Sequence, residues 1–176
     1  MDPWMVKQVF TGEVNGVPFK TGMTVRNGAF VSQEMCIQDA IAVSLTRMID
    51  EKKCQRVYMN YFHTVPGNYT LTDSSVSHRK NGICTLDSIR ASAYFLSEPE
   101  DDTPSDAYRL LEGPWNHFKI LYYDPKKREL QGEFAAKFVR TNKIQNTAGA
   151  VDTITYTNSK FILSNIHVQE IITEPR

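Results

Sequence analysis

The residues of this chain best suited to nucleophilic or metal chemistry are three cysteines, four histidines and a run of acids, and their spacing argues against both chemistries. Cys36, Cys54 and Cys84 include no CxxC pair, so the close ligand spacing of a structural zinc site is missing. An odd count makes buried or free thiols the simpler reading, because a free cysteine packs as a small hydrophobe. One disulfide plus one free thiol stays open in an oxidising compartment. His63, His78, His117 and His167 are scattered without HxH or HExxH spacing, and surface or packed imidazoles are expected. Cys84 would meet His78 or His117 as a nucleophile pair only by coincidence of folding. The stretch "EPEDDTPSD" carries Glu100, Asp101, Asp102 and Asp106. It lacks the ligand spacing and turn glycine of an EF-hand and reads as a solvated loop.

Other catalytic signatures are missing too. There is no GxSxG elbow, P-loop or Rossmann glycine pattern. Sugar hydrolysis needs two carboxylates at a set separation, but the acids of "RELQGEF" alternate away from its apolar face, where solubilising charges belong. Aromatic residues in "VYMNYF", "AYFL" and "ILYYD" could line a sugar or lipid site; core packing is the simpler expectation. "NYT" at Asn68 is a glycosylation sequon, which matters only in a eukaryotic secretory setting. No catalytic residue, metal ligand or cofactor follows from the sequence, and ligand-binding residues stay unknown.

The totals bound what such residues could sit on. A chain of 176 residues is read as one all-β domain over 1–176, with 1–7 as a disordered start. Its 41% apolar content supports a packed core. Twenty basic residues balance twenty acidic ones, which lacks the electrostatic footprint of a nucleic-acid binder. No apolar run reaches the length of a membrane span, and "MDPWMVKQ" has no signal-peptide pattern. A leader removed upstream would leave the same start.

The elements that must hold the chain together read as strands. Asn15-Gly16 in "VFTGEVNGVPFKT" predicts a type I′ hairpin, pairing Gly12 with Phe19 and Phe10 with Thr21. Pro18, with no amide to donate, belongs on an edge. A second Asn-Gly, Asn27-Gly28, suggests another turn. Residues 36–49 fit helix or strand, and a strand from about Ala40 to Arg47 is favoured because "RVYMNYFH" follows as its partner. That hairpin would hold Cys36 and Cys54 too far apart for a disulfide.

Pro66-Gly67 is a turn before alternating Tyr69 and Leu71. "SSVSHRKNG" reads as a polar loop. In "CTLDSIRASAYFL" Ile89, Ala91, Ala93 and Phe95 share a face. Thr103, Pro104 and Asp106 resemble a helix start, predicting a short helix over "AYRLLE", although Tyr108 and Leu110 also fit a strand. The clearest unit is a hairpin around Asp124–Arg128, pairing Tyr123 with Glu129, Tyr122 with Leu130, Ile120 with Gly132 and Phe118 with Phe134. "TNKIQNTAGAVD" reads as a polar loop, and Asn158-Ser159 as a turn folding Tyr156 against Phe161 and Ile154 against Leu163. The count, about nine or ten strands, predicts an antiparallel β-sandwich or barrel-like fold, with one short helix at most. Gly132 within its strand is read as fold rather than site, covered by a diagonal ring, Phe118 or Tyr122.

These pieces resemble a family of small envelope lipoproteins from Bacteroidota, labelled as a domain of unknown function. The resemblance rests on Asn15, Gly16 and Phe19; Pro66, Gly67 and Tyr69; Asp124; Gly132 and Phe134; and Asn158 and Phe161. It spans most of the chain in short motifs, and it departs from the family in the absent leader and lipid-attachment cysteine and in the long segments 35–56 and 97–114. It implies an all-β, exported or lipid-anchored, periplasmic or outer-membrane-associated domain with a binding or structural role, whose partner would be an envelope protein or glycan. It supplies no catalytic residues. The alternatives are a glycan-acting hydrolase and a barrel that carries a small apolar ligand.

Overall fold

The computed structural model describes residues 9–22, 40–50, 53–73, 77–80, 83–86, 88–96, 106–143 and 150–164. Alternation of apolar and polar residues governs nearly all of it, because successive side chains of a strand point to opposite faces. The strands are β1 (Val9–Val14), β2 (Val17–Gly22), β3 (Ala40–Met48), β4 (Cys54–His63), β5 (Gly67–Thr72), β6 (Ser77–Lys80), β7 (Ile83–Leu86), β8 (Ser88–Leu96), β9 (Asp106–Leu110), β10 (His117–Asp124), β11 (Glu129–Lys143) and β12 (Thr153–Leu163). Ten of them form one sheet, curled into a half-barrel, and the described residues contain no helix. β6 and β7 pair separately, so part of the expected polar loop is a small hairpin. The N-terminal 1–7, Asn27-Gly28 and the loop 97–105 lie outside the described residues.

The sheet runs β2-β1-β12-β11-β10-β5-β8-β4-β3, with β9 bridging β11 and β8. All its pairings are antiparallel except β5 with β8. β11 is long enough to pair with β10 through Glu129–Ala135 and then with β9 through Phe138–Lys143. β9 and β10 therefore run end to end along it, separated by an excursion over 111–116. Asn116 fills that gap: its Oδ1 accepts from the Lys137 amide at 3.0 Å and its Nδ2 donates to the Leu111 carbonyl at 2.8 Å. The Leu111 amide returns a bond to the Lys137 carbonyl.

The first hairpin forms as the turn chemistry requires, with Asn15 and Gly16 both at positive φ. Its register pairs Gly12 with Phe19 and Phe10 with Thr21, and β2 with Pro18 lies at the sheet edge. Residues 40–48 are a strand paired with β4, so Met48 faces Cys54.

Four expectations are corrected. The "AYRLLE" segment is strand β9, because pairing with β8 and β11 satisfies its backbone on both sides while Tyr108 and Leu110 are buried. The loop expected from Thr141 starts later, since β11 continues to Lys143 against Ala107 and Asp106. Asn158-Ser159 makes no turn. β12 runs straight through it, and Asn158 at φ 50 forms a β-bulge where the pairings to both β11 and β1 shift. Gly12 serves that bulge, since a Cβ there would lie 2.8 Å from the Ser159 Cα. In the β10–β11 hairpin, Phe118–Phe134 and Ile120–Gly132 pair as expected, but a bulge at Leu121 puts Tyr122 opposite Gln131 and Tyr123 opposite Leu130.

The inner face is filled by Phe10, Phe62, Phe118, Phe134, Phe138, Phe161 and Tyr156, each fully buried. Gly132 sits beneath this layer. The covering ring is Phe161, its direct partner on β12, rather than the diagonal Phe118 or Tyr122. A Cβ on Gly132 would meet that ring's Cε1 at 2.8 Å and the Lys119 carbonyl at 2.9 Å. Phe118 stacks on Phe161 at 5.8 Å and 17°, so the ring has no room to withdraw. Gly132→Val is expected to lower unfolding stability by about 1–3 kcal/mol through overpacking, read from urea denaturation. Adding Phe161→Leu should recover part of the loss, and strictly additive losses would show that the two positions do not collide.

Candidate functional site

The residues singled out for chemistry do not converge. Cys54 is a buried free thiol with no disulfide, its pKa raised by burial against the opposing pull of Arg56. His117 is exposed at the start of β10, opposite Ala135. The side chains of Cys84, His63 and His78 lie outside the described part, as do Cys36, His167 and Glu100 to Asp102. Among the described residues no three His, Cys, Asp or Glu side chains gather as a metal site. No helix among them is long and apolar enough to cross a membrane.

Asp106, expected in a solvated loop, is fully buried on the inner face. Arg140 stands two residues beyond Phe138 on the same inward parity of β11, and it grips the carboxylate through Nε at 2.9 Å and Nη2 at 2.5 Å. The Arg140 side chain is 5% exposed and that of Asp106 0%, so each compensates a charge that the interior would otherwise expel. Tyr108, opposite Arg140 in register, donates to the Val151 carbonyl at 2.7 Å, and burial pushes its hydroxyl up to about 12.

Arg47 of β3 belongs to the same end of the half-barrel. It donates to Gln55 Oε1 at 2.6 Å and lies over the Phe19 ring at 5.7 Å, joining the two edge strands β3 and β2 by side chains. Tyr156 is entirely buried beside it, and burial raises its pKa despite the favourable guanidinium charge. Among the described residues, its hydroxyl, Arg47 Nε and Asp106 Oδ2 are buried without a well-formed hydrogen bond, although the Arg47 guanidinium lies near enough to the Tyr156 hydroxyl to act on it. The interior is thus apolar at one end and polar at the other.

The outer face carries a different arrangement. Val57, Met59, Ala91, Ala93, Tyr108 and Leu110 point inward. Alternation therefore turns Arg56 and Tyr58 of β4, Tyr94 of β8 and Arg109 of β9 outward. Tyr58 and Tyr94, expected in the core, instead meet edge to face at 5.5 Å and 82° on this outer surface. Arg56 donates to the Tyr58 hydroxyl at 3.1 Å and to Thr46 Oγ1 at 3.2 Å, which fixes both the cation and the ring. Register continues the row from Tyr58 through Ser92 and Arg109 to Val139. One step along β11, Lys137 sits over the half-exposed Trp115 ring at 5.9 Å. Two half-buried tyrosines, a half-exposed tryptophan and three cations thus share one face. Motif inspection could not find it, since membership depends on pairing β4 with β8 and β8 with β9.

The two acids of "RELQGEF" each contact a neighbouring polar side chain on the outer face. Glu133 faces Lys119 at 3.9 Å, and Glu129 accepts from Gln131 at 2.6 Å. No protein-family model, curated protein or solved structure matches the chain.

Two outcomes test the interior. Asp106→Ala should cost about 3–5 kcal/mol by leaving the buried Arg140 with only the exposed Asp152 carboxylate at 3.9 Å and the Ala150 carbonyl, whereas Asp106→Leu with Arg140→Met should recover most of it; equal losses in urea unfolding would contradict this. In the native state Tyr108 and Tyr156 hold their protons more tightly than an unfolded tyrosine does. Stability should be intact below pH about 10 and fall as pH rises toward about 12. Tyr156→Phe should soften that fall at a neutral-pH cost below about 1 kcal/mol, since its hydroxyl meets only the Arg47 guanidinium and without a well-formed hydrogen bond. A loss above about 1 kcal/mol at neutral pH would show that the hydroxyl is bonded.

Proposed function

We propose that the chain is a non-enzymatic binding domain of the bacterial cell envelope, exported or lipid-anchored, that holds carbohydrate on the outer face of its sheet. The observation carrying this reading is the Tyr58–Tyr94 pair, turned outward and buttressed by Arg56. Aromatic rings present apolar faces to the C–H faces of a sugar ring, while guanidinium and hydroxyl groups bond its hydroxyls. A rigid sheet holds such groups without the ordering cost that a loop would incur.

Two observations weigh against the rival readings. Among the described residues the one fully buried carboxylate, Asp106, is committed to Arg140, which removes it as a partner for a second catalytic acid. The aromatic layer occupies the interior, so a small apolar ligand would have to displace packed rings. The envelope location is supported by the resemblance of the Asn15–Phe19, Pro66–Tyr69 and Gly132–Phe134 motifs to the Bacteroidota lipoproteins.

A glycan array with the purified protein should give binding that Tyr58→Ala and Tyr94→Ala each weaken about tenfold or more, as for central aromatic contacts. Thermal unfolding should confirm that the variants are folded. Undiminished binding by a folded double variant would remove this face as the site. Fractionation of the native host should recover the protein with its membranes or periplasm, and a cytoplasmic pool would contradict the location.

A further inference from the structure

We infer that the carbohydrate held by this face is an acidic polysaccharide, its carboxylates or sulfates met by Arg56, Arg109 and Lys137. This deepens the carbohydrate reading and rests on it. The inference comes from where the cations stand relative to the rings. Arg56 is tied to Tyr58 by a hydrogen bond and lies 6.0 Å from that ring's centre. Lys137 lies over Trp115. Two of the three rings thus carry a cation at their edge or face. A saccharide stacked on either ring would find a positive group beside it, which suits a sugar that bears an anion on the ring rather than a neutral one.

Arg109 completes the set. It is exposed, flanked along β9 by buried Tyr108 and Leu110, and set in the register row between Ser92 and Val139. Among the described residues no carboxylate forms an ion pair with Arg109 or Lys137. With adjacent strands about 4.8 Å apart and residues about 3.3 Å apart along a strand, Arg109 stands about 12 Å from Arg56 and about 8 Å from Lys137. The face spans about 14 Å from β4 to β11 by the same measure. This is a sparse ladder of single charges interleaved with rings. A guanidinium can accept a carboxylate or sulfate through two parallel N–H bonds, and an ammonium meets it as a point charge.

The ladder fits an acidic glycan better than a nucleic acid. A single-stranded nucleic acid brings a phosphate with every base and is met by a strongly basic groove. This chain is electrically balanced, at 20 basic and 20 acidic residues. On this face the described positive charge is three separate side chains, Arg56, Arg109 and Lys137, set beside or between aromatic rings.

The test uses the whole chain and four probes: polygalacturonate, dextran sulfate, a neutral β-glucan and polyuridylate, each titrated at low and high salt. Polygalacturonate or dextran sulfate should bind, more weakly as salt rises, and whichever is preferred identifies the anion. Arg109→Gln and Lys137→Gln, with melting temperatures unchanged, should each weaken that binding about two- to fivefold, the range of an exposed ion pair. Arg109→Lys should restore most of the loss. Equal binding of the neutral glucan, or folded variants that bind as tightly as the native chain, would overturn the acidic assignment and leave the carbohydrate reading standing. Binding of no glycan would remove both. Tighter binding of polyuridylate would overturn the inference in favour of a nucleic-acid surface. If Lys137→Gln fails to fold, Arg109→Gln and its lysine counterpart decide the matter alone.

Discussion

The architecture hinges on how β11 changes partners. One strand of 15 residues pairs first with β10 and then with β9, and the switch leaves backbone groups that no neighbouring strand can reach. Buried polar backbone without partners is costly. Asn116 is the residue that removes the cost, offering an acceptor to Lys137 and a donor to Leu111 from one side chain. With the switch held, β8 can be reached by one strand on one side of the gap and by two on the other. The uneven bridging and the bulges of β10, β11 and β12 bend the sheet into its half-barrel, since bulges add twist and bend the strand that carries them.

Curling then sorts the residues by chemistry. One inward end collects rings, and the other collects Arg47, Gln55, Asp106 and Arg140 with two tyrosines. Outward positions escape this sorting, so aromatic residues found there need a separate reason. The Tyr58–Tyr94 contact uses ring edges and faces in the way a packed core does, yet it lies on the surface. That placement is why the outer face, rather than the interior, is the more informative part of the molecule for function.

Local chemistry made much of the fold legible. Asn15-Gly16 specified its hairpin because two positive φ values leave few alternatives, and Pro18 marked an edge by its missing amide. What the sequence concealed was tertiary. Thr103, Pro104 and Asp106 satisfy every local rule for a helix start, and the sheet overrode them because Arg140, 34 residues away, offered Asp106 a buried partner. Asn158 carries the same signal whether it turns a hairpin or forms a bulge, since both use a left-handed residue. The choice fell with Gly12 on β1, whose missing Cβ leaves room for the extra residue of β12. The candidate site was less legible still. "VYMNYF" and "AYFL" advertise aromatic residues, but alternation alone cannot say which parity faces outward until β3, β8 and β9 have paired.

The closure between Asn15 and β12 has a consequence for how the molecule comes into being. Asn15 donates to the Thr153 carbonyl and accepts from the Thr155 amide, a contact spanning some 140 residues of sequence. Such distant pairings delay folding, because loop-closure entropy must be met before the contact returns anything. During synthesis the first hairpin therefore emerges without its neighbour, and its apolar Phe10 face has no sheet to join until β12 has left the ribosome. Phe19, packed against Phe10 within the hairpin at 4.8 Å, gives that waiting surface a local cover. The N-terminal hairpin is in this sense its own temporary chaperone.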